Sequence, residues 1–427
     1  MPPSSPHLAV LLDGEVVAEV DRGRSGALRL TFTKAARRPG RTPLSLSLPT
    51  STGTITGTPV ETFLDGLLPD NDAVRRAIAR VHGADANDTL SLLAAVGQDC
   101  PGAVQLCLPE DVHTTAARTG ELIPVSDSDV EMRLAALRTD MDASWTMPGE
   151  HWSLGGSQQK FALRLSDGQW FEATGSEPTS HIVKPGIYAL RAQAMIEHVS
   201  MHAATRCGVS AAHTEYVSFK SEDAIVITRF DRAPSVQAGG LRRLHQEDLC
   251  QALGVREKYE SEGGPDAETI VRLLRESSST ARAAAANVAR FVDGLVYNTV
   301  IAAPDAHARN YAVLLQGDDV KLAPLFDVAT GLAYEPPAGG ARALSMSIAG
   351  EFDPAHVTPD TWKRFCEAVS VDEATVLDKV REVAEVAPDA MAEALAEIDD
   401  WDGAASDVAA RLLPGVREQT QTVLRAL

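Results

Sequence analysis

The sequence predicts an α+β fold with two lobes, a strand-rich lobe followed by an all-helical lobe, and a small additional α+β module in front of them. Three observations lead to this prediction. Short segments with alternating apolar residues recur between residues 151 and 232. Ala-rich helical patterns dominate residues 233–427. The first 110 residues combine strand and helix patterns on a smaller scale. A lobe of strands and a lobe of helices commonly enclose a cleft.

The N-terminal module, residues 1–110, contains clear local signals. In HLAVLLDGEVVAEV, Asp13 and Gly14 suit a two-residue hairpin turn between two apolar strands. ALRLTFT and LSLSLP are predicted as further strands, because their apolar residues alternate. ETFLDGLLPDNDAVRRAIARVHG is predicted to be helical, interrupted at Pro69 and ended by Gly83.

The remaining chain is predicted to contain a connector and the two lobes. Residues 111–150 are rich in Thr, Ser and Asp and are predicted to form the connector. In the strand-rich lobe, residues 151–232, strands are predicted at KFALRL, WFEAT, HIVKP, TEYVSF and AIVITRF, with one helix over residues 189–206. In the helical lobe, residues 233–427, TARAAAANVARFVDGLVYNTVIA is predicted to form a long helix.

Composition limits the possible functions. Of the 427 residues, 44% are apolar and 23% are charged, which is typical of globular proteins. The net charge of −20 argues against non-specific nucleic-acid binding by the chain itself, because Lys and Arg hold phosphate backbones. A DNA contact through a partner stays open.

No apolar run reaches the ~18–20 residues of a membrane-spanning helix. The start, MPPSSPHLAV, lacks the features of a secretion signal. The five scattered cysteines support neither a zinc site nor a disulfide framework, so we expect a cytoplasmic protein.

The segment APDAHARNYAVLL, residues 303–315, contains the first candidate for chemistry. Asp305 and Asn310 lie five residues apart where a helix ends and a strand begins, and LAPLFDVAT places Asp327 after a second strand. Two strands joined by QGDD would form a hairpin with Asn310 and Asp327 at its base. Such oxygen ligands suit Mg²⁺ together with nucleotide phosphates, and Asp305 could accept a proton from an attacking hydroxyl. The spacing matches the Asp…Asn…Asp pattern of kinases without their HRD and DFG sequences. The alternative is a capped helix and a polar hairpin without chemistry.

The strand-rich lobe offers groups that suit nucleotide phosphates. Gly155, Gly156 and Ser157 precede a strand, and small residues there let backbone N–H groups approach a phosphate. Lys184 ends the strand in SHIVKPG, where a lysine can pair with phosphates as the strand lysine of kinases does. The alternatives are an ordinary turn and a surface lysine whose aliphatic part covers apolar surface.

The strand-rich lobe ends with AIVITRFDR, which suits a hinge between two lobes. Phe230 is flanked by Arg229 and Asp231, and backbone groups of residues 228–230 could bind an adenine edge. The alternative is a strand end with a surface ion pair, which contributes little stability. The order of glycine loop, strand lysine, hinge, helical lobe, Asp…Asn and Asp favours a kinase-like fold.

These segments resemble a known family. GGSQQKFAL, SHIVKPG, RFDR, HQEDLCQALG, DAHARNYAVLL and LAPLFDVAT together resemble the HipA-type serine/threonine kinase toxins of bacterial type II toxin–antitoxin systems. FLDGLLPDNDAVRRAIAR resembles the N-terminal module of that family. The resemblance covers most of the chain.

The resemblance implies a role for each motif residue. Asp305 would be the catalytic base, and Asn310 and Asp327 would hold Mg²⁺. Residues 155–160 would form the phosphate loop, and phosphorylation of Ser153 would eject that loop and silence the enzyme. The implied nucleotide-binding residues are Gly155, Gly156, Ser157, Gln158, Gln159, Lys160, Lys184, Thr228, Arg229, Phe230, His307, Ala308, Arg309, Asn310, Phe326 and Asp327.

The resemblance also implies cofactors and partners. The expected activity is ATP- and Mg²⁺-dependent phosphorylation of a protein hydroxyl, with a translation component such as an aminoacyl-tRNA synthetase as substrate. The expected partners are a HipB-type helix-turn-helix antitoxin and, through it, operator DNA. Two positions depart from the family pattern, because Thr228 replaces an acidic hinge residue and Arg309 replaces a lysine.

Two other functions fit parts of the sequence. A catalytically weak scaffold would bind the antitoxin and act as a corepressor on operator DNA, and the acidic composition and altered hinge motivate it. A small-molecule phosphotransferase would share the kinase-like core, but the N-terminal module argues against it.

Overall fold

The computed structural model describes residues 5–140, 142–236, 240–336, 342–399 and 403–427. The chain divides into two compact units. The first unit comprises residues 1–185, 217–256 and 313–319, and the second comprises residues 186–216, 257–312 and 320–427.

Residues 8–107 form an antiparallel five-stranded sheet, in the order β4-β3-β2-β1-β5, and three α-helices. These elements are β1 Leu8–Leu12, β2 Glu15–Arg22, β3 Leu28–Phe32, β4 Thr54–Thr56, α1 Thr58–Asp65, α2 Asp72–His82, α3 Thr89–Val96 and β5 Val104–Cys107. The predicted hairpin turn is confirmed, because Asp13 (φ 53°) and Gly14 (φ 75°) join β1 to β2 with the left-handed values that a type I′ turn requires. Gly83 ends α2 as predicted.

The LSLSLP segment does not form the predicted strand. Its serines bond to nearby groups instead: Ser45 Oγ and Ser47 Oγ lie 2.9 Å apart, and Ser47 Oγ donates to the Gln251 carbonyl at 2.6 Å. The Glu247 carboxylate accepts a hydrogen bond from the Leu46 N–H at 2.8 Å. Such side-chain bonds compete with the backbone ladder of a sheet, so the segment stays irregular.

Residues 111–256 contain all six strands of the second sheet. Their elements are α4 Val112–Ala116, β6 Leu122–Pro124, α5 Asp127–Thr139, β7 Phe161–Ser166, β8 Gln169–Ala173, β9 His181–Lys184, α6 Gln193–Arg206, β10 Thr214–Phe219, β11 Glu222–Thr228, β12 Arg232–Ser235, β13 Gly240–Arg243, β14 His245–Asp248 and α7 Leu249–Leu253. Helix α6 belongs to the second unit. The sheet has the order β10-β11-β9-β7-β8-β6. Two polar residues of the predicted connector cap a helix: Ser126 and Asp129 form the capping box of α5.

One continuous hydrophobic cluster fills the first unit. It contains Val10 from β1, Phe63 from α1 and Phe161 from β7, each at most 1% exposed. The indole rings of Trp145 and Trp152 are also buried in it. The N-terminal sheet and the strands around residues 161–226 therefore share one core.

The second unit is mainly helical. After α6 it contains α8 Ala267–Ser277, α9 Ala281–Val300, α10 Pro359–Val369, α11 Glu373–Ala396 and α12 Ala404–Ala426. The predicted long helix is α9, which the Thr280 side chain caps. Strands β15 Ala312–Gln316 and β16 Asp319–Leu322 follow one another where the two units divide. Short 3₁₀ helices occupy Ala35–Arg37, Thr50–Thr52, Pro109–Asp111, Glu260–Glu262 and Ala308–Asn310. Within the described ranges, none of the helices has both the length and the apolar character needed to cross a bilayer.

A buried ion network lies in the first unit at the predicted hinge, where the alternative interpretation placed a surface ion pair. Asp99 Oδ1 accepts from Arg232 at 2.8 Å and from Arg243 at 2.7 Å. Arg229 binds both oxygens of Asp231 at 3.0 and 2.8 Å, and Arg232 lies 3.0 Å from the same carboxylate. The five side chains are between 1% and 8% exposed. The RFDR motif therefore contributes to buried packing and not to a solvated pair.

Asp99 is the centre of this network. Burial by itself raises the pKa of Asp99, but the attraction of Arg232, Arg243 and Arg229 outweighs burial and holds that pKa well below its ordinary value. The second carboxylate oxygen accepts hydrogen bonds from the Thr179 N–H and hydroxyl, both at 2.9 Å. The carboxylate is therefore charged at neutral pH, and both of its oxygens accept hydrogen bonds.

We predict that Asp99→Ala lowers the free energy of unfolding by about 3–5 kcal/mol, because it leaves Arg232 and Arg243 buried without their counter-charge. Urea denaturation measures this loss. The control is Asp21→Ala, which removes the pair between Asp21 and Arg29, whose side chains are 34% and 47% exposed. Equal losses for the two variants would contradict the prediction.

Candidate active site

The loop after α9 is fixed by its own hydrogen bonds. Ala302 takes the left-handed region at φ 49°, and the Ala303 N–H donates to the Asn298 carbonyl at 2.8 Å. The Asn310 side-chain amide donates to the Asp305 carbonyl at 2.7 Å, and the His307 N–H donates to the same oxygen at 2.9 Å. The five-residue spacing in the sequence therefore lets Asn310 close the loop on Asp305.

The Asp305 carboxylate is accessible and oriented. Its side chain is 64% exposed, and the Tyr259 hydroxyl donates to Oδ1 at 2.9 Å. His307 Nε2 lies 3.9 Å from the same oxygen, and the His307 ring packs edge-on against Tyr259 with 4.9 Å between ring centres. An exposed carboxylate held by a neutral donor suits proton abstraction from an incoming hydroxyl. Sequence reasoning missed Tyr259, which lies 46 residues before Asp305.

His307 is a buried, neutral neighbour of this carboxylate. Burial lowers the pKa of His307 and outweighs the opposite effect of Asp305. Within the described ranges, His307 Nδ1 has no hydrogen-bond partner. At neutral pH the imidazole is therefore uncharged and does not neutralise Asp305 as a cation.

A second layer of residues fixes the segment that carries Tyr259. The Glu260 carboxylate accepts from the Ser347 N–H at 2.7 Å and from the Ser347 hydroxyl at 2.6 Å. The Ser345 hydroxyl donates to the Pro304 carbonyl at 2.5 Å. Residues 345–347 thus hold both sides of the Tyr259–Asp305 contact, and no local sequence signal indicated them.

The two predicted metal ligands flank the β15–β16 segment along the chain. In the second unit, the Ala323 N–H donates to the Ala312 carbonyl at 2.9 Å and closes the base of that segment. Asn310 precedes β15, and Asp327 follows β16 with the left-handed φ of 60°. A non-glycine residue in this conformation is uncommon, and such residues cluster at functional sites.

The donor set fits Mg²⁺. The side-chain nitrogen of Asn310 donates to the Asp305 carbonyl, so the side-chain oxygen of Asn310 takes no part in that hydrogen bond. Asp327 has a carboxylate, the second donor group of the set. Mg²⁺ is usually bound through one or two carboxylates together with substrate phosphates. In the part of the chain that the structure describes, no three or more His, Cys, Asp or Glu side chains group closely enough to hold a metal by themselves.

The predicted phosphate loop, residues 155–160, folds around its own lysine. Lys160 is 6% exposed, its Nζ donates to the Gly155 carbonyl at 2.9 Å, and it lies 5.1 Å from the centre of the Trp145 ring. The Trp145 indole N–H donates to the Gln159 side chain. Gly156 has φ 90°, and a Cβ there would lie 2.9 Å from Lys160 Nζ. Ser157 is exposed and Gln158 is half-buried.

Lys184 is buried. It ends β9 opposite Ile225 of β11 and is 3% exposed, so the alternative of a surface lysine is wrong. A second buried charged residue, Glu197 in α6, was missed by sequence reasoning; it is 0% exposed and accepts from Gln193 Nε2 at 3.2 Å. The acidic residue inside AMIEHVSM was the available signal.

Of the predicted hinge residues, Thr228 is the last residue of β11, and Arg229 and Phe230 follow that strand. Thr228 Oγ1 lies 3.2 Å from His181 Nε2, so its hydroxyl binds the neighbouring strand. The Arg229 N–H donates to the Ser180 carbonyl at 2.9 Å, while its side chain belongs to the buried ion network. Phe230 is half-buried. Their contact with an adenine stays a prediction.

Three further predicted residues differ in exposure. Ala308 is buried, whereas Arg309 and Phe326 are half-buried. Their roles in nucleotide binding stay predictions.

Ser153, the predicted phosphorylation site, is buried. It is 2% exposed, its hydroxyl donates to Cys100 Sγ at 3.3 Å, and its N–H donates to the Asp99 carbonyl at 3.1 Å. A kinase can reach this hydroxyl only after the segment around residue 153 moves.

Comparisons with known proteins point to the same family over most of the chain. Residues 152–391 match the HipA-like C-terminal domain, and residues 8–107 match the HipA N-terminal domain. The protein named "Putative kinase Y4mE" from Sinorhizobium fredii is 30% identical over 403 residues, which cover 92% of this chain and 93% of the relative. The "Serine/threonine-protein kinase toxin HipA" of Shewanella oneidensis is 27% identical over 411 residues, which cover 91% of this chain and 88% of the relative.

A solved structure has the same fold. The chain is similar to a chain of the Shewanella oneidensis complex of HipA, HipB and operator DNA, with a TM-score of 0.80 and 23% identity. The similarity covers 98% of this chain and 97% of the other. The kinase-like α+β fold predicted from the sequence is thereby confirmed. Both family domains are present in the expected order, and the matched relatives carry kinase names, so the chain belongs to the HipA family of kinase toxins.

Proposed function

We propose that the chain is an ATP- and Mg²⁺-dependent serine/threonine protein kinase and the toxin of a type II toxin–antitoxin module. One observation carries the proposal: the Asp305 carboxylate is exposed and oriented in a loop that Asn310 closes. Family membership supports the same reaction class.

Asp305 would accept the proton of the attacking hydroxyl. The Tyr259 hydroxyl orients the carboxylate without adding a charge, and the uncharged His307 leaves the negative charge of Asp305 intact. The exposure of Asp305 leaves room for a protein side chain to approach. A positioned base of this kind typically accelerates proton transfer by about 10²–10⁴-fold.

The other residues would bind the nucleotide. Asn310 and Asp327 would hold Mg²⁺, and Lys160 and Lys184 would neutralise phosphate charge. When bound, ATP would supply the transferable phosphoryl group and Mg²⁺ would screen its negative charge. The protein's contribution is then mainly position and charge, which matches the hydrogen-bonded loop around Asp305.

The acceptor would be a serine or threonine of a protein. The name of the Shewanella oneidensis relative supports this class. By the family resemblance, a translation component such as an aminoacyl-tRNA synthetase is the proposed cellular substrate, and Ser153 is the proposed site of self-phosphorylation. Because Ser153 is buried, we propose that loop opening precedes its modification.

We predict that the wild-type protein incorporates label at Ser153 when it is incubated with labelled ATP and Mg²⁺. Asp305→Asn should slow incorporation by about 10²–10⁴-fold, because the general base is lost. Ser153→Ala should lose the labelled peptide, as mass spectrometry can verify. Asp318→Asn, the same change at an exposed acid in the β15–β16 turn, is the matched control.

Equal labelling of wild type and Asp305→Asn would refute Asp305 as the base. Absence of label in the wild type, together with no Mg²⁺-dependent binding of an ATP analogue, would favour the catalytically weak scaffold.

We predict that Asp327→Asn removes the Mg²⁺-dependent part of the thermal stabilisation by a non-hydrolysable ATP analogue. Asparagine also tolerates the left-handed backbone at this position, so the change tests the charge and not the turn. Differential scanning fluorimetry with and without Mg²⁺ measures the effect, with Asp318→Asn as control. An unchanged Mg²⁺-dependent increase in Tm would rule out Asp327 as a ligand.

We also propose a HipB-type helix-turn-helix antitoxin as partner, with operator DNA contacted through it. The solved Shewanella oneidensis complex of HipA, HipB and operator DNA supports this assignment. In a gel-shift assay, the chain with its co-expressed antitoxin should retard operator DNA more than the antitoxin alone. The chain by itself should not, because its net charge is −20. Retardation by the chain alone, or failure to co-purify, would contradict the proposal.

A further inference from the structure

The segment that leads into the phosphate loop is bound by main-chain hydrogen bonds to the N-terminal part of the first unit. We define residues 151–156 as the lead segment. The His151 carbonyl accepts from the Gln98 N–H at 2.9 Å and from the Asp99 N–H at 3.2 Å. The Ser153 N–H donates back to the Asp99 carbonyl at 3.1 Å, and Trp152 pairs with Asp99 as a parallel bridge. This part of the lead segment thus lies alongside residues 97–100 and pairs with them through main-chain hydrogen bonds, as neighbouring strands do.

The other end of the lead segment lies against the turn after α1. The Gly156 carbonyl accepts from the Asp70 N–H at 2.9 Å, beside a parallel bridge between Pro69 and Gly156. A Cβ at residue 155 would lie 2.7 Å from the Gly66 carbonyl oxygen. Gly155 is not in the left-handed region, so this close approach is the reason for a glycine there.

Both docking segments, residues 66–70 and 97–100, are themselves fixed. The Pro69 carbonyl accepts from Arg75 Nε at 2.6 Å. Gln251 donates to the Phe63 carbonyl at 2.7 Å, and its side chain leaves no room for a Cβ at Gly66. Asp99 is held by the buried ion network. The surface that receives the lead segment is therefore held by contacts that do not involve a nucleotide.

We propose that these two docking segments position the phosphate loop, so that Gly66, Asp70 and Asp99 act on the nucleotide through the loop backbone. The consequence for nucleotide binding rests on the proposed function; the docking of the loop does not. The same bonds control access to Ser153, because its N–H is tied to Asp99 while its hydroxyl is buried. Anything that loosens the N-terminal docking segments then both weakens nucleotide binding and exposes Ser153.

Hydrogen exchange of the Ser153 amide tests the docking without requiring kinase activity. In the full-length protein, Gly155→Ala should speed this exchange at least tenfold, since the new methyl group overlaps the Gly66 carbonyl. Gly23→Ala is the matched control, because a Cβ there meets only an ordinary contact at 3.5 Å. Exchange of the Val10 amide in β1 should stay unchanged in both variants.

A second pair of variants changes the docking segment and leaves the loop intact. Asp70→Pro removes the N–H that binds Gly156 and should also speed Ser153 exchange at least tenfold. Asp72→Pro places a proline at the exposed first residue of α2, where its ring is tolerated, and should exchange like wild type. Affinity for an ATP analogue, measured by titration, should fall at least tenfold in Gly155→Ala and Asp70→Pro, but not in their controls.

Two results would overturn the proposal. One is Ser153 exchange within twofold of wild type in both Gly155→Ala and Asp70→Pro. The other is equal acceleration at Val10, which would indicate general loss of structure. If the wild type binds no nucleotide while Ser153 exchange responds as expected, the proposed function fails and the docking stands.

Discussion

The buried ion network around Asp99 is the constraint on which the first unit depends. Burying five charged side chains is costly unless each has a partner and its hydrogen bonds, and here Asp99 binds Arg232 and Arg243 while Asp231 binds Arg229. The main chain of Asp99 makes further contacts, because its N–H donates to the His151 carbonyl and its carbonyl accepts from the Ser153 N–H. The residue at the centre of the network therefore also binds the segment that precedes the predicted phosphate loop.

The second unit uses the same physical rule around Asp305. Its loop contains several polar groups, and Asn310, Ser345 and Tyr259 satisfy them or orient them through hydrogen bonds. The carboxylate itself remains exposed, whereas the groups that support it are mostly buried. Rigidity in the supporting residues and exposure of one reactive group are what positional catalysis requires.

Local signals predicted much of this fold, and partners distant in sequence explain the failures. The Asp13–Gly14 turn, the end of α2 at Gly83 and the long helix α9 were predicted correctly, since each depends on backbone preferences of a few neighbouring residues. LSLSLP failed as a strand because its serines and backbone bind groups about 200 residues away. The alternative of a surface position for Lys184 also failed, because this lysine is buried where β9 pairs with β11.

By itself, the sequence determined the family, the order of its motifs and the residue types that kinase chemistry needs, because these reside in short, specific patterns. It did not determine which polar residues support them. Tyr259 reaches Asp305 across 46 residues, and Asp99 reaches Arg232 across 133. Hydrogen bonds and charge pairs are short-ranged in space and have no fixed spacing along the chain. Only the tertiary structure could therefore decide that the charged side chains of RFDR are buried, that Ser153 is covered, and that residues 70, 98 and 99 bind the main chain of residues 151–156.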